Sequence, residues 1–138
     1  MDVLIYGGTR FIGKKVVDNL LASGHQVTLI SRRAASPHPR LTGIKVERED
    51  SYTRLGDRQF DCILDFMAYD AQAVEAAVSL MPDTPYIFVS TAWIDVNKTG
   101  ARRFLSFEDN YVRRKIEAEA FLQNIRRHGR KAIICRLP

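Results

Sequence analysis

The chain has 138 residues, 46% hydrophobic and 27% charged, a balance that suits one soluble globular domain with a single core. The opening MDVLIYGG carries neither a basic flank nor a long apolar run. It therefore excludes a secretory signal and a membrane span at this end, and a cytoplasmic location is the expectation. Two cysteines, Cys62 and Cys135, each lie in an apolar run and read as reduced, buried thiols rather than a disulfide framework, and no metal-ligand spacing is present.

The net charge is +5 and the pI is near 9.5, which suits an anionic ligand or nucleic acid. Basic residues cluster at Arg32-Arg33, Arg102-Arg103, Arg113-Arg114-Lys115, Arg126-Arg127 and Arg130-Lys131. Most such clusters are solvated faces and loop ends.

In chain order, Val3 to Tyr6 is a short apolar run that passes through a glycine-rich turn into Phe11 to Ala22, where apolar residues recur at helical spacing. Ser23-Gly24 ends that helix, Gln26 to Ile30 favours a strand, and Ala34 to Gly43, with two prolines, reads as a loop. Ile44 to Glu47 is the third expected strand, and Ser51 to Arg58 a short polar helix. Phe60 to Phe66 is a nearly continuous apolar strand followed by a helix over Ala71 to Leu80. Pro82 and Pro85 precede a strand from Tyr86 to Ser90, then a loop containing Gly100. A charged helix from Asp109 to His128, capped by Gly129, leads to a last strand, Lys131 to Arg136. This alternation predicts an α/β fold: a doubly wound parallel sheet of about six strands in order 3-2-1-4-5-6, with helices on both faces.

The turn Gly7-Gly8-Thr9-Arg10-Phe11-Ile12-Gly13 sits between the first strand and first helix, where backbone N–H groups and the helix dipole can hold an anion. Gly7 can make the tight turn and Gly13 can let helix and strand pack closely, so the segment reads as the pyrophosphate site of a dinucleotide. Arg10 replaces the usual middle glycine and must point away or bind phosphate. The second strand ends in Ser31-Arg32-Arg33, where an acidic residue would otherwise bond the adenosine ribose. A guanidinium there suits a 2′-phosphate, so NADP(H) is expected over NAD(H).

The glycine turn together with Tyr111-Val112-Arg113-Arg114-Lys115 resembles the NAD(P)-dependent epimerase/dehydratase family, the extended or atypical short-chain dehydrogenase/reductases. Val89-Ser90-Thr91 at the end of the fifth strand and Arg136 with Pro138 after the sixth fall in the family's order. The resemblance implies that Tyr111 and Lys115, one helical turn apart, project toward the nicotinamide. Tyr111 would then exchange a proton with a substrate oxygen, and the ammonium of Lys115 would favour the phenolate and bond the nicotinamide ribose. The orienting hydroxyl falls on Thr91, with Ser90 as second choice, and Glu47 matches the acid that contacts adenine, although Val46 replaces the usual glycine before it. His25, His38 and His128 read as surface residues.

Residues 1–138 thus read as an NAD(P)-binding Rossmann domain without the C-terminal substrate-binding part of the family. A fragment of a longer reductase or epimerase, a short protein completed by a partner chain, and a binding protein without turnover all fit. The enzyme reading implies a small carbonyl or alcohol substrate, a nucleotide-sugar at the family level. A homo-oligomer or a complementary C-terminal chain is expected to cover the truncated sheet. The same turn also resembles chloroplast stem-loop RNA-binding relatives, but no aromatic-and-basic recognition module accompanies it, so nucleic acid is disfavoured. A redox sensor or partner subunit is the third reading, and retention of both Tyr111 and Lys115 weighs against it.

Overall fold

The computed structural model describes residues 1–98 and 106–138. Its elements are β1 (Asp2–Tyr6), α1 (Phe11–Ala22), β2 (Gln26–Ser31), β3 (Leu41–Lys45), α2 (Ser51–Leu55), β4 (Cys62–Asp65), α3 (Ala71–Leu80), β5 (Tyr86–Thr91), α4 (Trp93–Lys98), α5 (Ser106–Arg127) and β6 (Ala132–Leu137). The strands form one parallel sheet in order β3-β2-β1-β4-β5-β6, the topology expected from the alternating pattern. Order reverses at β1, so the connections leaving β1 and β4 diverge and open a crevice at the carboxyl ends of these strands.

Alternation along each strand sorts its side chains between two cores. Leu4, Tyr6, Ile63, Tyr86 and Phe88 face α3 and α5 and pack with Val74, Val78, Ala118 and Leu122. Val3, Ile5, Val27 and Leu29 face the other way onto Val17 and Leu21 of α1. Asp65 sets a carboxylate into this lining: it lies on the α3/α5 side, fully buried, paired in register with Tyr6 of β1 and Phe88 of β5.

Four local expectations change. The third strand is Leu41–Lys45 rather than Ile44 to Glu47, because it is a half-exposed edge strand whose register on β2 is set from Val27↔Leu41 onward. Residues after Thr91 form the short helix α4 instead of a loop, and the Thr91 hydroxyl accepts the N–H of Trp93 at its start. Helix α5 begins at Ser106, three residues earlier than its charge pattern indicated. Cys62 is buried as expected, but Cys135 is exposed. It lies on edge strand β6, where Ile133 is also 56% exposed and the apolar run cannot by itself report which face is covered. Gly100 and Arg102-Arg103 lie outside the described residues.

The first turn depends on close backbone packing. Gly13 is buried in α1, and a Cβ built there would stand 2.7 Å from the Cα of Gly8. Alanine would gain about 1 kcal/mol of helix propensity. The backbone clash should outweigh this, since forced overpacking costs about 1–3 kcal/mol. Gly13→Ala is therefore expected to lower the urea midpoint of unfolding; a midpoint at or above that of the wild type would contradict the contact.

Candidate active site

The turn after β1 presents an open helix end. Gly7 and Gly8 adopt φ values of 82° and 113°, in the region that favours glycine, and the Gly7 N–H donates to the Ile30 carbonyl at 2.9 Å. Arg10 is the N-cap of α1 in an extended conformation, its side chain makes no capping bond, and the first turn contains no acidic residue. The leading N–H groups of a twelve-residue helix thus have no side-chain cap, and the dipole adds positive potential at the same point. The Arg10 side chain is exposed at the rim, so it does not fill the space that the missing glycine would have left.

A cleft of about 300 Å³ joins this turn to the ends of β5 and α5. Gly8, Arg10, Phe11, Ile12 and Gly13 line one side, and Ser90, Thr91, Tyr111 and Lys115 the other. The structure therefore brings together the glycine turn and the hydroxyl, phenol and ammonium groups singled out in the sequence. Arg32 and Glu47 lie in a second cleft of about 280 Å³ with Arg48, Tyr69, Asp70 and Arg114, and Tyr69 borders both clefts. Thr9 lines a third hollow of about 190 Å³ between α1 and the loop after β2. Ser31 is buried and shapes the chain, since its hydroxyl donates to the Arg33 carbonyl and accepts the Arg33 N–H. Arg32 and Arg33 are exposed just beyond it.

Of the two hydroxyls, Thr91 already accepts from Trp93 and keeps its own proton to donate, whereas the buried Ser90 Oγ has no hydrogen-bond partner among the described residues. Lys115 is 3% exposed, and its Nζ donates to the carbonyls of Ala68 at 2.7 Å and Val89 at 2.8 Å. The ammonium stands 4.5 Å from the Phe88 ring centroid, 5.6 Å from that of Tyr69 and 5.9 Å from that of Tyr111. Burial pulls its pKa down to about 8, against the opposing attraction of Asp65 and Glu119. Tyr111 packs edge-on against Tyr69 at 6.0 Å, and burial followed by Tyr69 raises its pKa. The effect on the phenol is opposite to the one expected from a nearby ammonium: burial and Tyr69 govern it, while the Lys115 ammonium is directed to the Ala68 and Val89 carbonyls.

A buried polar network below the cleft was not singled out from the sequence. Arg48 Nη2 donates to Asp65 Oδ2 at 2.5 Å and to the Ala73 carbonyl at 2.9 Å, and its guanidinium lies 4.2 Å above the Tyr6 ring. The Tyr86 hydroxyl donates to Asp65 Oδ2 at 2.6 Å. Asp65 Oδ1 accepts the amide N–H groups of Met67 and Ala68, each at 2.8 Å. Burial opposes the charge on Arg48, but Asp65 outweighs it and the pKa of Arg48 is raised. Burial and then Asp65 hold the Tyr86 phenol well above its usual range, and burial takes Tyr6 to about 12. The available sequence signal was a lone carboxylate in an otherwise apolar parallel strand, Cys62–Asp65. At the far edge, Arg136 of β6 donates to Glu119 of α5 at 2.9 and 2.6 Å and to Asp95 of α4 at 2.6 Å, tying both helices to the strand end.

The depressed pKa of Lys115 makes stability depend on pH with a definite sign. Between about 8 and 10.5 the unfolded chain binds a proton at this lysine that the folded chain does not, so the contribution of Lys115 to stability rises with pH across that window. The difference between wild type and Lys115→Met should therefore shift in favour of the wild type from pH 8 to 10.5, by on the order of 3 kcal/mol at most. Urea titrations of the two proteins at several pH values measure it, and a difference that does not change with pH would contradict the buried ammonium.

Comparison with known proteins agrees with this architecture. The sequence model of the NAD dependent epimerase/dehydratase family matches residues 3–104. The chloroplast stem-loop binding protein of 41 kDa b from Arabidopsis thaliana is 31% identical over 111 residues, covering 67% of this chain and 29% of that protein. An epimerase of Methanothermobacter thermautotrophicus superposes with a TM-score of 0.76 at 14% identity, over 98% of this chain and 50% of that one. A dTDP-glucose 4,6-dehydratase of Bacillus anthracis, solved in complex with NAD, superposes with a TM-score of 0.70 at 22% identity, over 99% of this chain and 54% of that one. The chain thus spans under a third of the plant relative and about half of each solved neighbour. With the family match over most of its length, and with the strand order and glycine turn that such a match requires, the chain belongs to the NAD dependent epimerase/dehydratase family.

Proposed function

We propose that this chain binds NADP(H) in preference to NAD(H) and serves in hydride exchange at a carbonyl or alcohol carbon, with Tyr111 as the proton-transfer residue. The observation that carries the proposal is the shared cleft: the uncapped, acid-free start of α1 and the side chains of Ser90, Thr91, Tyr111 and Lys115 border one continuous space. The residues fit a dinucleotide. The glycine turn leaves the start of α1 free of a side-chain cap for the pyrophosphate, Lys115 would offer an ammonium to the nicotinamide ribose, and Glu47, which lines the second cleft, would contact adenine. Exposed Arg32 and Arg33, aided by Arg10, supply the positive charge that a 2′-phosphate needs.

The nicotinamide, when bound, supplies or accepts the hydride. The chain's own residues manage the proton. Burial keeps Tyr111 protonated at neutral pH, so its hydroxyl is set to donate to a carbonyl oxygen as that oxygen gains charge. Thr91 donates a second hydrogen bond that orients the same oxygen, and Ser90, without a partner among the described residues, is the alternate donor. Lys115, anchored on two carbonyls, keeps one ammonium proton for the cofactor ribose. The substrate class favoured is a nucleotide-linked sugar, as for the dTDP-glucose 4,6-dehydratase neighbour. The rest of its pocket would come from further polypeptide of the same or another chain. RNA binding has less support, because the turn opens onto the hydroxyl and phenol groups of a crevice rather than along a basic groove.

Fluorescence titration is expected to show NADPH binding about 10- to 100-fold more tightly than NADH, the scale of one or two hydrogen bonds to a charged group. Arg32→Asp should remove most of that difference; equal affinities in the wild type, unchanged in the variant, would remove the 2′-phosphate role. On any carbonyl substrate found in a panel of nucleotide-sugars, Tyr111→Phe should lower kcat by about 10²- to 10⁴-fold. Unaltered turnover would take Tyr111 out of the reaction.

A further inference from the structure

Lys115 and Tyr111 sit on α5, but the groups that fix their positions come largely from the turn after β4. Lys115 Nζ is anchored on the Ala68 carbonyl, and the Tyr69 ring packs edge-on against Tyr111. Among the described residues that turn is clamped internally by the Asp65 carboxylate, which accepts both Met67 and Ala68 N–H groups through Oδ1. Its other oxygen is held from behind by Tyr86 and Arg48, so the carboxylate cannot rotate without leaving a buried guanidinium and a buried phenol unpaired. Arg48 at 5%, Asp65 at 0%, Ala68 at 0% and Lys115 at 3% exposure are buried, whereas the Tyr69 ring is 56% exposed at the border of the cleft.

We propose that Asp65 is the positioning residue of the active site: by clamping the Met67 and Ala68 amides it sets the Ala68 carbonyl that anchors Lys115 and the Tyr69 ring that backs Tyr111. The functional meaning rests on the assignment of Tyr111 to proton transfer and of Lys115 to the cofactor ribose. The positioning itself can be read without cofactor or substrate. Asp65 touches neither, and acts through the turn.

The test follows the rate at which Lys115 is methylated by formaldehyde and cyanoborohydride, read by peptide mass spectrometry on the full chain. Removing Asp65 alone would strand Arg48 in the core, so both members of the pair are replaced together. In Asp65→Ala/Arg48→Met the clamp is gone, and Lys115 should react about tenfold faster or more, the scale of one lost charge-assisted hydrogen bond. In Asp65→Asn/Arg48→Met the amide oxygen can still accept the two N–H groups, and Lys115 should react as slowly as in the wild type. A folded alanine variant with wild-type reactivity would overturn the proposal, as would a folded asparagine variant as reactive as the alanine one. Should the alanine variant fail to fold, the asparagine variant and hydrogen exchange in the wild type decide. The Met67 and Ala68 amides should exchange slowly, and exchange at the rate of a free turn would overturn the clamp. If Tyr111→Phe leaves turnover intact while Lys115 remains protected in this way, the catalytic assignment fails and the clamp stands.

Discussion

Gly13 backs directly onto Gly8, with no space between them for even one methyl group. That contact draws the start of α1 against the end of β1 and leaves the leading amides of the helix facing the crevice rather than a side-chain cap. The crevice exists because the strand order reverses at β1, so the chain leaving β1 and the chain leaving β4 part from one another. Close glycine packing on one side and the carboxyl ends of β4 and β5 on the other produce a cleft in which backbone donors and side-chain chemistry meet. Few residues are spent on it, and most of the remaining sequence is occupied in covering the sheet.

Electrostatics divide the cleft into two regimes. At the glycine turn the positive potential is supplied by amides, the helix dipole and exposed arginines, which suits a solvated anion. Beneath β4 and β5 the charges are buried and constrained, with Arg48 on Asp65 and Lys115 on two backbone carbonyls, while at the β6 edge the exposed Arg136 holds the buried Glu119. Lys115 has no direct carboxylate partner in its anchoring bonds, and its pKa falls accordingly to about 8. Tyr111 moves the other way, remaining a phenol until high pH. A protonated tyrosine beside a weakened ammonium is an arrangement suited to giving a proton to a substrate oxygen at neutral pH.

Much of this was legible in the residues. Long apolar strands without polar alternation, spaced by helical periods, determine a parallel doubly wound sheet whatever their exact ends, and the glycine spacing marks which connection holds the anion. The i, i+4 spacing of Tyr111 and Lys115 on a helix guarantees a common face. What was not legible depends on neighbours that no local pattern specifies. Cys135 lies in an apolar run yet is exposed, because β6 is an edge strand covered on one side. The edge position of β3 likewise hid its start at Leu41, where burial is only partial. The upward shift of Tyr111 comes from burial and the neighbouring Tyr69, and the direction in which the Lys115 ammonium points is set by a carbonyl 47 residues away in sequence. The Arg48–Asp65 pair joins residues 17 apart across β1, and only the fold reveals that the lone carboxylate of β4 has a partner.

The glycine turn and the β5–α5 face are expected to act as one dinucleotide site. Amide chemical shifts of isotope-labelled protein, followed as NADPH is added, test this most directly. Saturable changes at Gly7 to Gly13 together with Ser90 and Thr91, sharing one dissociation constant, are the predicted result. Saturation binding of NADPH that leaves the glycine turn unperturbed, or changes confined to surfaces remote from the cleft, would contradict it.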